Sequence, residues 1–213
     1  MSVLVIAPHP DDEAIGCGGA LCLHVDGGER VAAVFLTSGE LGLKHLPREE
    51  AWKVRETEAE SAAAVLGLAS VSFLRRRDYY LTEEIEVAAR DLEGILRRET
   101  PAVVYVPHEH EWHPDHAIAS TVLESALACS GIAPPSVLTY EVWTPQAEYD
   151  DGRDITSVMR RKLSAVRCYR SQTRQLPYAR AVRWLNEFRG AMAWGCRYAE
   201  VFKVTTLSAD ATA

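Results

Sequence analysis

The chain alternates short runs of consecutive apolar residues with longer stretches in which apolar residues recur at helical spacing. Continuous apolar runs predict strands buried on both faces of a sheet, and the spaced pattern predicts helices between them. Strands that alternate with helices in this way form βαβ units, so we expect an α/β fold with a mostly parallel sheet. The predicted strands span 3–7, 31–36, 71–74, 102–106, 136–143 and 198–204, and the predicted helices span 16–26, 47–66, 82–98, 117–128, 157–169 and 178–193.

The length of the chain fits a single domain over residues 1–213. A chain of 213 residues can bury a substantial core without disulfide or metal staples, and no linker or low-complexity tract divides it. The tail 208–213 is small and polar, and we expect it to be frayed.

Charge and cysteine content narrow the classes of function. The formal net charge is −7, which argues against a nucleic-acid partner because such binding needs a basic face. No apolar run approaches the ~20 residues that span a membrane, and the sequence enters its first strand without a signal peptide. The five cysteines form an odd set without a CxxC pair, a pattern typical of reduced thiols. We therefore expect a cytoplasmic protein with no membrane partner and no cysteine metal site.

Two turns rich in His and Asp follow strands of the predicted sheet. The first is Ala7-Pro8-His9-Pro10-Asp11-Asp12-Glu13, and it leads into Gly16-Cys17-Gly18-Gly19. These glycines begin too late after the strand for a GxGxxG nucleotide loop, so we assign them to close helix packing. The second turn spans 108–116 and follows the fourth strand. Turns at the carboxyl ends of parallel strands face one crevice, so we expect both to line the same site.

The residue types in these turns are those of a catalytic zinc site. His9 and Asp12 stand three positions apart and can converge on one ion if the turn winds into a helix. With His116 they supply two imidazoles and one carboxylate, which leaves a coordination position open to water or substrate. Zinc lowers the pKa of its bound water to about 7, and Asp11 is then free to accept the proton of that water as a general base. Another divalent metal would accept the same ligands.

His113 and Asp115 supply further candidate chemistry. His113 lies one helical turn before His116, so it can face the same cavity and protonate a leaving amine or hold an oxyanion. Asp115 can fix the tautomer of an imidazole, or it can be an ordinary carboxylate at a helix N-terminus.

A purely structural role is the alternative for the remaining polar residues of the two turns. The first turn could be a polar turn that only caps a helix, with Glu13 complementing the helix dipole. His108 and His110 precede the predicted helix and lack its fixed geometry, so we interpret them as ordinary loop histidines.

At these residues the chain resembles the LmbE-like (PIG-L superfamily) zinc-dependent N-deacetylases. The family signatures AHPDDE and HPDH stand here as Pro8-His9-Pro10-Asp11-Asp12-Glu13 and His113-Pro114-Asp115-His116, with Pro8 in place of the first alanine. The resemblance extends along essentially the whole chain. It implies a Rossmann-like three-layer αβα fold, zinc held by His9, Asp12 and His116, Asp11 as the general base, and His113 as the acid or oxyanion partner.

The resemblance also implies substrate contacts and assembly. Arg55 and Asp78 match positions that contact the sugar in members acting on N-acetylglucosaminyl compounds, and homo-oligomers such as trimers or hexamers are expected. From the residues alone, Arg55 could instead be an exposed helix residue paired with Glu58, and Asp78 a loop residue that caps a turn. Glu111 stands where some members carry a mobile tyrosine, which changes the bulk expected at the mouth of the site.

Together these features predict a zinc-dependent hydrolase that removes acetyl from an N-acetylated amino sugar carried on a small molecule. Two alternatives stay open: a metal-dependent hydrolase of another amide or ester, and a metal-bound ligand-binding protein without activity. The second alternative has no need of Asp11 and His113 beside the metal ligands, so their presence favours catalysis.

Overall fold

The computed structural model of the chain describes residues 1–205, so the expectation of a frayed tail at 208–213 lies outside the described residues. Within residues 1–205 the strands are β1 (Ser2–Ala7), β2 (Arg30–Thr37), β3 (Ser70–Arg76), β4 (Val103–Pro107), β5 (Ser136–Tyr140), β6 (Asp151–Asp154) and β7 (Ala199–Thr205). The α-helices are α1 (Asp12–Gly16), α2 (Gly18–Asp26), α3 (Arg48–Leu66), α4 (Ile85–Glu99), α5 (Pro114–Ser130), α6 (Met159–Val166), α7 (Arg170–Thr173) and α8 (Tyr178–Arg189). Short 3-10 turns cover Glu40–Leu43 and Leu81–Glu83, and a π-helical turn covers Gly190–Trp194.

The described strands form one sheet in the order β3-β2-β1-β4-β5-β7-β6. The strands from β3 to β5 run parallel, whereas β7 pairs antiparallel with both β5 and β6. The strand order reverses between β1 and β4. The chain first adds β2 and β3 on one side of β1, and it then returns to place β4 and the later strands on the other side. Ligands of open parallel sheets bind at such a switch point, beyond the carboxyl ends of the strands. The predicted α/β fold with a mostly parallel sheet is confirmed.

Apolar clusters lie on both faces of the sheet, which gives three layers. Successive residues of β1 alternate between them: Val3 and Val5 join the cluster beneath α2, α3 and α6, and Leu4 and Ile6 join the cluster beneath α4 and α5. All four side chains are fully buried. This burial on both sides explains why β1 is a continuous apolar run rather than an alternating one. Within residues 1–205, each helix is too short or too polar to cross a lipid bilayer.

The predicted strand 136–143 ends early, at Tyr140. The next backbone N–H groups, those of 142–144, donate to the carboxylate of Glu111 instead of joining the sheet. The predicted helix 16–26 begins earlier, at Asp12, and is interrupted at Cys17. Gly16 lies directly against the Tyr140 ring, since a Cβ there would come within 2.2 Å of it.

The second half of the chain departs further from the predicted elements. The helices predicted at 157–169 and 178–193 end at Val166 and Arg189. After Arg189 the chain widens into the π-helical turn, where Gly190 is pressed against the backbone of Arg197. Strand β6 was not predicted, because its residues Asp151–Asp154 carry no apolar pattern and are held by pairing with β7.

A buried ion pair anchors the start of α2 to the opposite end of the chain. Lys162 Nζ donates to Glu200 Oε1 at 2.6 Å, and the Glu200 carboxylate also accepts the N–H groups of Gly19 at 2.8 Å and Ala20 at 2.7 Å. These N–H groups belong to the first turn of α2 and have no partner within the helix. Glu200 therefore caps α2, and α1 and α2 continue directly from the turn that follows β1.

We predict that Lys162→Met lowers the free energy of unfolding by ~3–5 kcal/mol, because it leaves the Glu200 carboxylate buried without a counter-charge. Denaturation in urea measures the loss. The matched control is Lys203→Met, which removes an exposed pair with Glu148 and should leave the urea midpoint nearly unchanged. Equal losses in the two variants would contradict the anchoring role.

Candidate metal and catalytic site

The turn after β1 is held in an unusual conformation. Asp11 has a φ angle of 126°, in a region that residues with a side chain rarely adopt. The Pro8 carbonyl accepts hydrogen bonds from the backbone N–H of Thr37 at 2.9 Å and from its hydroxyl at 3.0 Å. Arg55 Nη2 donates to the Pro10 carbonyl at 2.6 Å. Neighbouring elements thus hold the carbonyls on either side of His9 and stabilise the strained turn.

Three side-chain atoms form a small triangle at the switch point of the sheet. Asp12 Oδ2 lies 3.3 Å from His9 Nδ1 and 3.2 Å from His116 Nε2, and the two nitrogens are 3.1 Å apart. Ligand atoms about 2.0 Å from a tetrahedral zinc ion stand about 3.3 Å from one another. The triangle therefore has the size of one face of such a coordination sphere. The other oxygen of this carboxylate, Asp12 Oδ1, is buried with no hydrogen-bond partner among the described residues.

Two further carboxylates orient the His9 ring. His9 Nε2 lies 3.1 Å from Asp115 Oδ2 and 3.2 Å from Asp78 Oδ1. Although burial opposes the change, hydrogen bonds to Asp115, Asp12 and Asp78 raise the pKa of His9 well above its ordinary value. Because Asp115 and Asp78 accept from Nε2–H, the neutral form of the ring carries its lone pair on Nδ1, which faces the triangle.

Asp115 also ties this site to the loop after β3. Its carboxylate accepts the backbone N–H of Tyr79 at 2.7 Å and that of Leu81 at 3.1 Å. Tyr79 is a second residue with a positive φ, 72°. Of the two interpretations of Asp115, the geometry favours the one in which it fixes an imidazole tautomer, and the imidazole is that of His9.

Glu111 lies inside the protein and not at the mouth of the site. We expected it at the mouth of the site, but its carboxylate is buried and accepts the N–H groups of Val142 at 2.7 Å and Trp143 at 2.9 Å. Its Oε2 lies 3.6 Å from His116 Nδ1, the ring nitrogen that faces away from the triangle. The sequence shows an acidic residue between a strand and His116, but this position alone does not predict the direction of the side chain.

His113 occupies the N-cap position of α5, where its Nδ1 accepts the N–H of Asp115 at 3.2 Å. This bond leaves the ring proton on Nε2 when the imidazole is neutral. Burial, and then the neighbouring His9 and His116, lower the pKa of His113 to about 4. The ring nitrogens of His9, His113 and His116 come within 4.8 Å of one another, so His113 is a geometric alternative to Asp12 as a ligand. We favour Asp12, because its triangle is tighter and His113 Nδ1 is already used by the helix.

Asp11 lies beside the triangle with a braced carboxylate. Arg55 Nη1 and Nη2 are each 3.4 Å from Asp11 Oδ2, and Glu13 Oε2 accepts the Asp11 N–H at 3.2 Å. Burial raises the pKa of Asp11 to about 7, with the Arg55 charge opposing the rise. A carboxyl group with this pKa can exchange a proton near neutral pH.

Glu13 supports this arrangement from inside the protein. Its Oε1 accepts the hydroxyl of Tyr169 at 2.5 Å, and burial raises the pKa of Glu13 to about 8 despite that hydrogen bond. Glu13 lies in the first turn of α1, as expected, and it also holds the backbone of Asp11.

A cavity of about 400 Å³ opens onto the triangle. Six of the predicted site residues line it, and the two others, Asp115 and His116, contact His9. The residues of the cavity include His9, Asp11, Asp12, Arg55, Asp78 and His113, with Leu41, Trp112, Trp143, Leu176 and Tyr178 forming apolar walls. The structure thus brings the predicted residues together, while their individual roles stay predictions.

The structure corrects the alternative interpretations of Arg55 and His108. Arg55 is buried, and the Glu58 carboxylate proposed as its exposed partner instead accepts the N–H and hydroxyl of Ser171. His108 is also buried, with its Nε2 2.7 Å from the carbonyl oxygen of Thr144. The expectation of an ordinary loop histidine holds for His110, which is exposed.

Asp78 combines features of both of its interpretations. Its Oδ2 accepts the N–H of Leu41 at 2.8 Å, as expected of a residue that stabilises a loop, while its Oδ1 faces His9. Burial opposes ionisation, but contact with His9 lowers the pKa of Asp78. Asp78 is therefore an ionised group in the wall of the cavity.

Comparison with known proteins places this site in a known family. Residues 4–127 match the family model PIG-L, described as GlcNAc-PI de-N-acetylase. The diacetylchitobiose deacetylase of Thermococcus kodakarensis is 31% identical over 222 residues, covering 93% of this chain and 80% of that protein. The structure of N,N'-diacetylchitobiose deacetylase from Pyrococcus horikoshii superposes with a TM-score of 0.85 at 30% identity, covering 97% of this chain and 84% of that one. A 4-oxalmesaconate hydratase of Pseudomonas putida is 30% identical over 193 residues, covering 80% of this chain and 74% of that protein.

We predict that the protein binds about one zinc ion per chain and that His116→Ala abolishes this binding, because a site with three protein ligands has none to spare. Metal analysis after zinc loading and gel filtration measures the occupancy. His110→Ala, an exposed histidine on the preceding turn, is the matched control and should keep full occupancy. Zinc bound at full occupancy to His116→Ala would refute the ligand assignment.

Proposed function

We propose that this chain, which belongs to the PIG-L (GlcNAc-PI de-N-acetylase) family, is a zinc-dependent hydrolase that removes acetyl from an N-acetylglucosaminyl-type small molecule. The observation that carries the proposal is the triangle of His9, Asp12 and His116 beside the buried carboxylate of Asp11. These three residues would hold the metal, and another divalent ion would accept the same atoms. When bound there, zinc supplies a Lewis acid and lowers the pKa of water to about 7.

Asp11 would transfer the proton in this reaction. Its carboxylate accepts a proton from the attacking water, whose oxygen bonds to the acetyl carbon. Because burial raises the pKa of Asp11 to about 7, the same group can then give that proton to the nitrogen as the C–N bond breaks. The products are acetate and the free amine of the sugar.

His113 would stabilise the charge that develops on the amide oxygen. The hydrogen bond at Nδ1 leaves Nε2–H as the donor, and with a pKa of about 4 the ring is neutral at neutral pH. A neutral donor suits the oxyanion role better than the role of a proton-donating acid. Asp115 would act through His9, by holding the tautomer that directs Nδ1 towards the metal.

Arg55 and Asp78 would contact the sugar. Both line the cavity, and the ionised Asp78 has acceptor capacity left for a hydroxyl group. The guanidinium of Arg55 is already engaged by Asp11 and the Pro10 carbonyl, so its larger effect would be to position the general base.

The hydratase among the relatives makes addition of water to a double bond the main competing chemistry. That enzyme's name describes an acidic substrate, and such a substrate would need free cationic side chains. The floor of this cavity carries the carboxylates of Asp11, Asp12 and Asp78, and Arg55 is paired with one of them. The exposed Lys44 also lines the cavity, so three carboxylates stand against two cations. The charge distribution therefore favours a neutral acetamido sugar.

Acetate release from N-acetylglucosaminides tests the proposal. The zinc-loaded protein is incubated with methyl N-acetylglucosaminide and with N,N'-diacetylchitobiose, and separately with 4-oxalmesaconate. We expect acetate and free amine from at least one of the sugars. Hydration of the acid without any acetate release would overturn the proposal.

We predict that Asp11→Asn keeps its zinc but lowers turnover ~10²–10⁴-fold, because the amide has the size of the carboxylate but cannot accept the proton. Parallel metal analysis and acetate assays measure the two quantities. Asp26→Asn, at the exposed end of α2, is the control and should retain both. A metal-loaded Asp11→Asn enzyme with nearly normal turnover would exclude Asp11 as the general base.

We predict that Arg55→Ala lowers kcat/KM ~10–100-fold with zinc content intact, because it removes charge-assisted hydrogen bonds to Asp11 and the Pro10 carbonyl without touching a metal ligand. The control is Arg48→Ala, which lies on the same helix with an exposed side chain. Unchanged kinetics in Arg55→Ala would show that neither Asp11 nor the substrate depends on the guanidinium.

A further inference from the structure

We name the cavity that opens onto the triangle the catalytic cavity. A second cavity, of about 330 Å³, adjoins it, and we name this second cavity the apolar pocket. Trp143, Leu176 and Tyr178 line both spaces. Ala181 and Leu185 of α8 form much of the remaining wall of the apolar pocket. We propose that the apolar pocket binds an uncharged apolar aglycone attached to the N-acetylated sugar, an inference that rests on the proposed function.

The wall shared by the two cavities lies at their mouth. Trp143 is 40% exposed and Leu176 is 44% exposed, whereas His9 and Asp12 at the triangle are buried. The acetamido group must reach the triangle to react, so the part of the substrate at the shared wall is the part farthest from the amide. In an N-acetylated sugar conjugate the aglycone extends away from the sugar ring and can reach that wall, whereas the acyl group stays at the triangle.

A row of aromatic rings connects the catalytic cavity to the apolar pocket. Trp112 lies edge-on to Trp143 with ring centroids 5.5 Å apart, and Trp143 lies edge-on to Tyr178 at 5.6 Å. Of the two cavities, Trp112 lines only the catalytic cavity, whereas the rings of Trp143 and Tyr178 line both. Aromatic rings offer apolar surface both to a sugar ring and to an apolar group attached to that ring. The backbone of Trp143 is held by Glu111, so this wall is fixed.

The charged side chain of the apolar pocket is already paired within the protein, whereas Asn186 leaves one buried acceptor, Oδ1, without a partner among the described residues. Glu141 pairs with Arg189 and accepts the N–H of Gln146 at 2.7 Å, and Asn186 Nδ2 donates to the Ala199 carbonyl at 3.0 Å. The lining residues offer no unpaired charged group to a ligand. A charged aglycone would therefore lose its hydration without gaining a partner. The remaining surface suits an alkyl or aryl group, and the volume is at the lower end of small-molecule pockets.

Matched substrates test the inference. Acetate release is compared between methyl and octyl N-acetylglucosaminide, and release of octanoate from methyl N-octanoylglucosaminide is measured beside them. Each fully buried methylene is worth about fourfold in binding, so we expect kcat/KM for the octyl glycoside to exceed that for the methyl glycoside by at least ~10-fold. Equal values for the two glycosides, or a preference for the N-octanoyl compound, would overturn the aglycone assignment.

Variants of α8 locate the effect in the apolar pocket. Leu185→Glu places a charge in its wall, and the octyl-to-methyl ratio of kcat/KM should fall at least ~10-fold. Trp184→Gln, on the neighbouring residue whose side chain is 59% exposed, should keep the wild-type ratio. Circular dichroism and zinc content verify that both variants are folded. A ratio that is unchanged in Leu185→Glu would place the alkyl chain elsewhere.

Failure of the proposed function can be told apart from failure of this inference. If the methyl glycoside is deacetylated and the octyl group brings no gain, the function stands and the inference falls. If no glycoside loses acetate, calorimetric binding of the octyl and methyl N-acetylglucosaminides to the wild type and to Leu185→Glu still decides the inference. Tighter binding of the octyl compound that Leu185→Glu removes would support it, and equal binding would refute it.

Discussion

The whole site depends on the burial of several carboxylates around two imidazole rings at the switch point of the sheet. Asp12, Asp78 and Asp115 all contact His9, and Asp12 also contacts His116. Buried charges of one sign are costly unless cationic groups or a metal ion compensate them. Protonated imidazoles can balance part of this charge, but two imidazole nitrogens only 3.1 Å apart would then repel each other. A divalent cation at this position would resolve both conflicts, because it would take the lone pairs of the rings and neutralise the carboxylates.

The residues around the triangle also connect it to the walls of the substrate cavity. Asp115 joins His9 to the loop that carries Asp78 and Tyr79, and Glu111 joins His116 to the turn that carries Trp143. Each of these carboxylates accepts backbone N–H groups, so it orders a loop and faces a ring of the proposed metal site at the same time. The positions of the proposed ligands and of the cavity walls are therefore set by the same carboxylates.

The acidic floor and the apolar walls divide the recognition of a substrate between two regions. The floor holds the groups that would act on the acetamide, and Arg55 is engaged there by Asp11 rather than free for an anionic ligand. The aromatic row leads away from the floor towards α8, whose Arg189 pairs with Glu141 of the apolar pocket. Family membership accounts for the first region, which carries the signature residues, whereas the second region lies mostly beyond the residues 4–127 that match the family model.

The sequence alone determined the parallel half of the sheet and the composition of the site. Strands buried on both faces must be continuous apolar runs, so β1 and β4 were visible, and the turns that end them had to meet at one edge. The direction of individual side chains was decided by the tertiary structure. Glu111 binds a turn that begins 31 residues later, and Asp115 binds an N–H group 36 residues earlier. Local periodicity cannot encode such distant contacts. For the same reason β6, the burial of Arg55 and the apolar pocket became visible only in the folded chain, because each exists through packing between segments that are far apart in sequence.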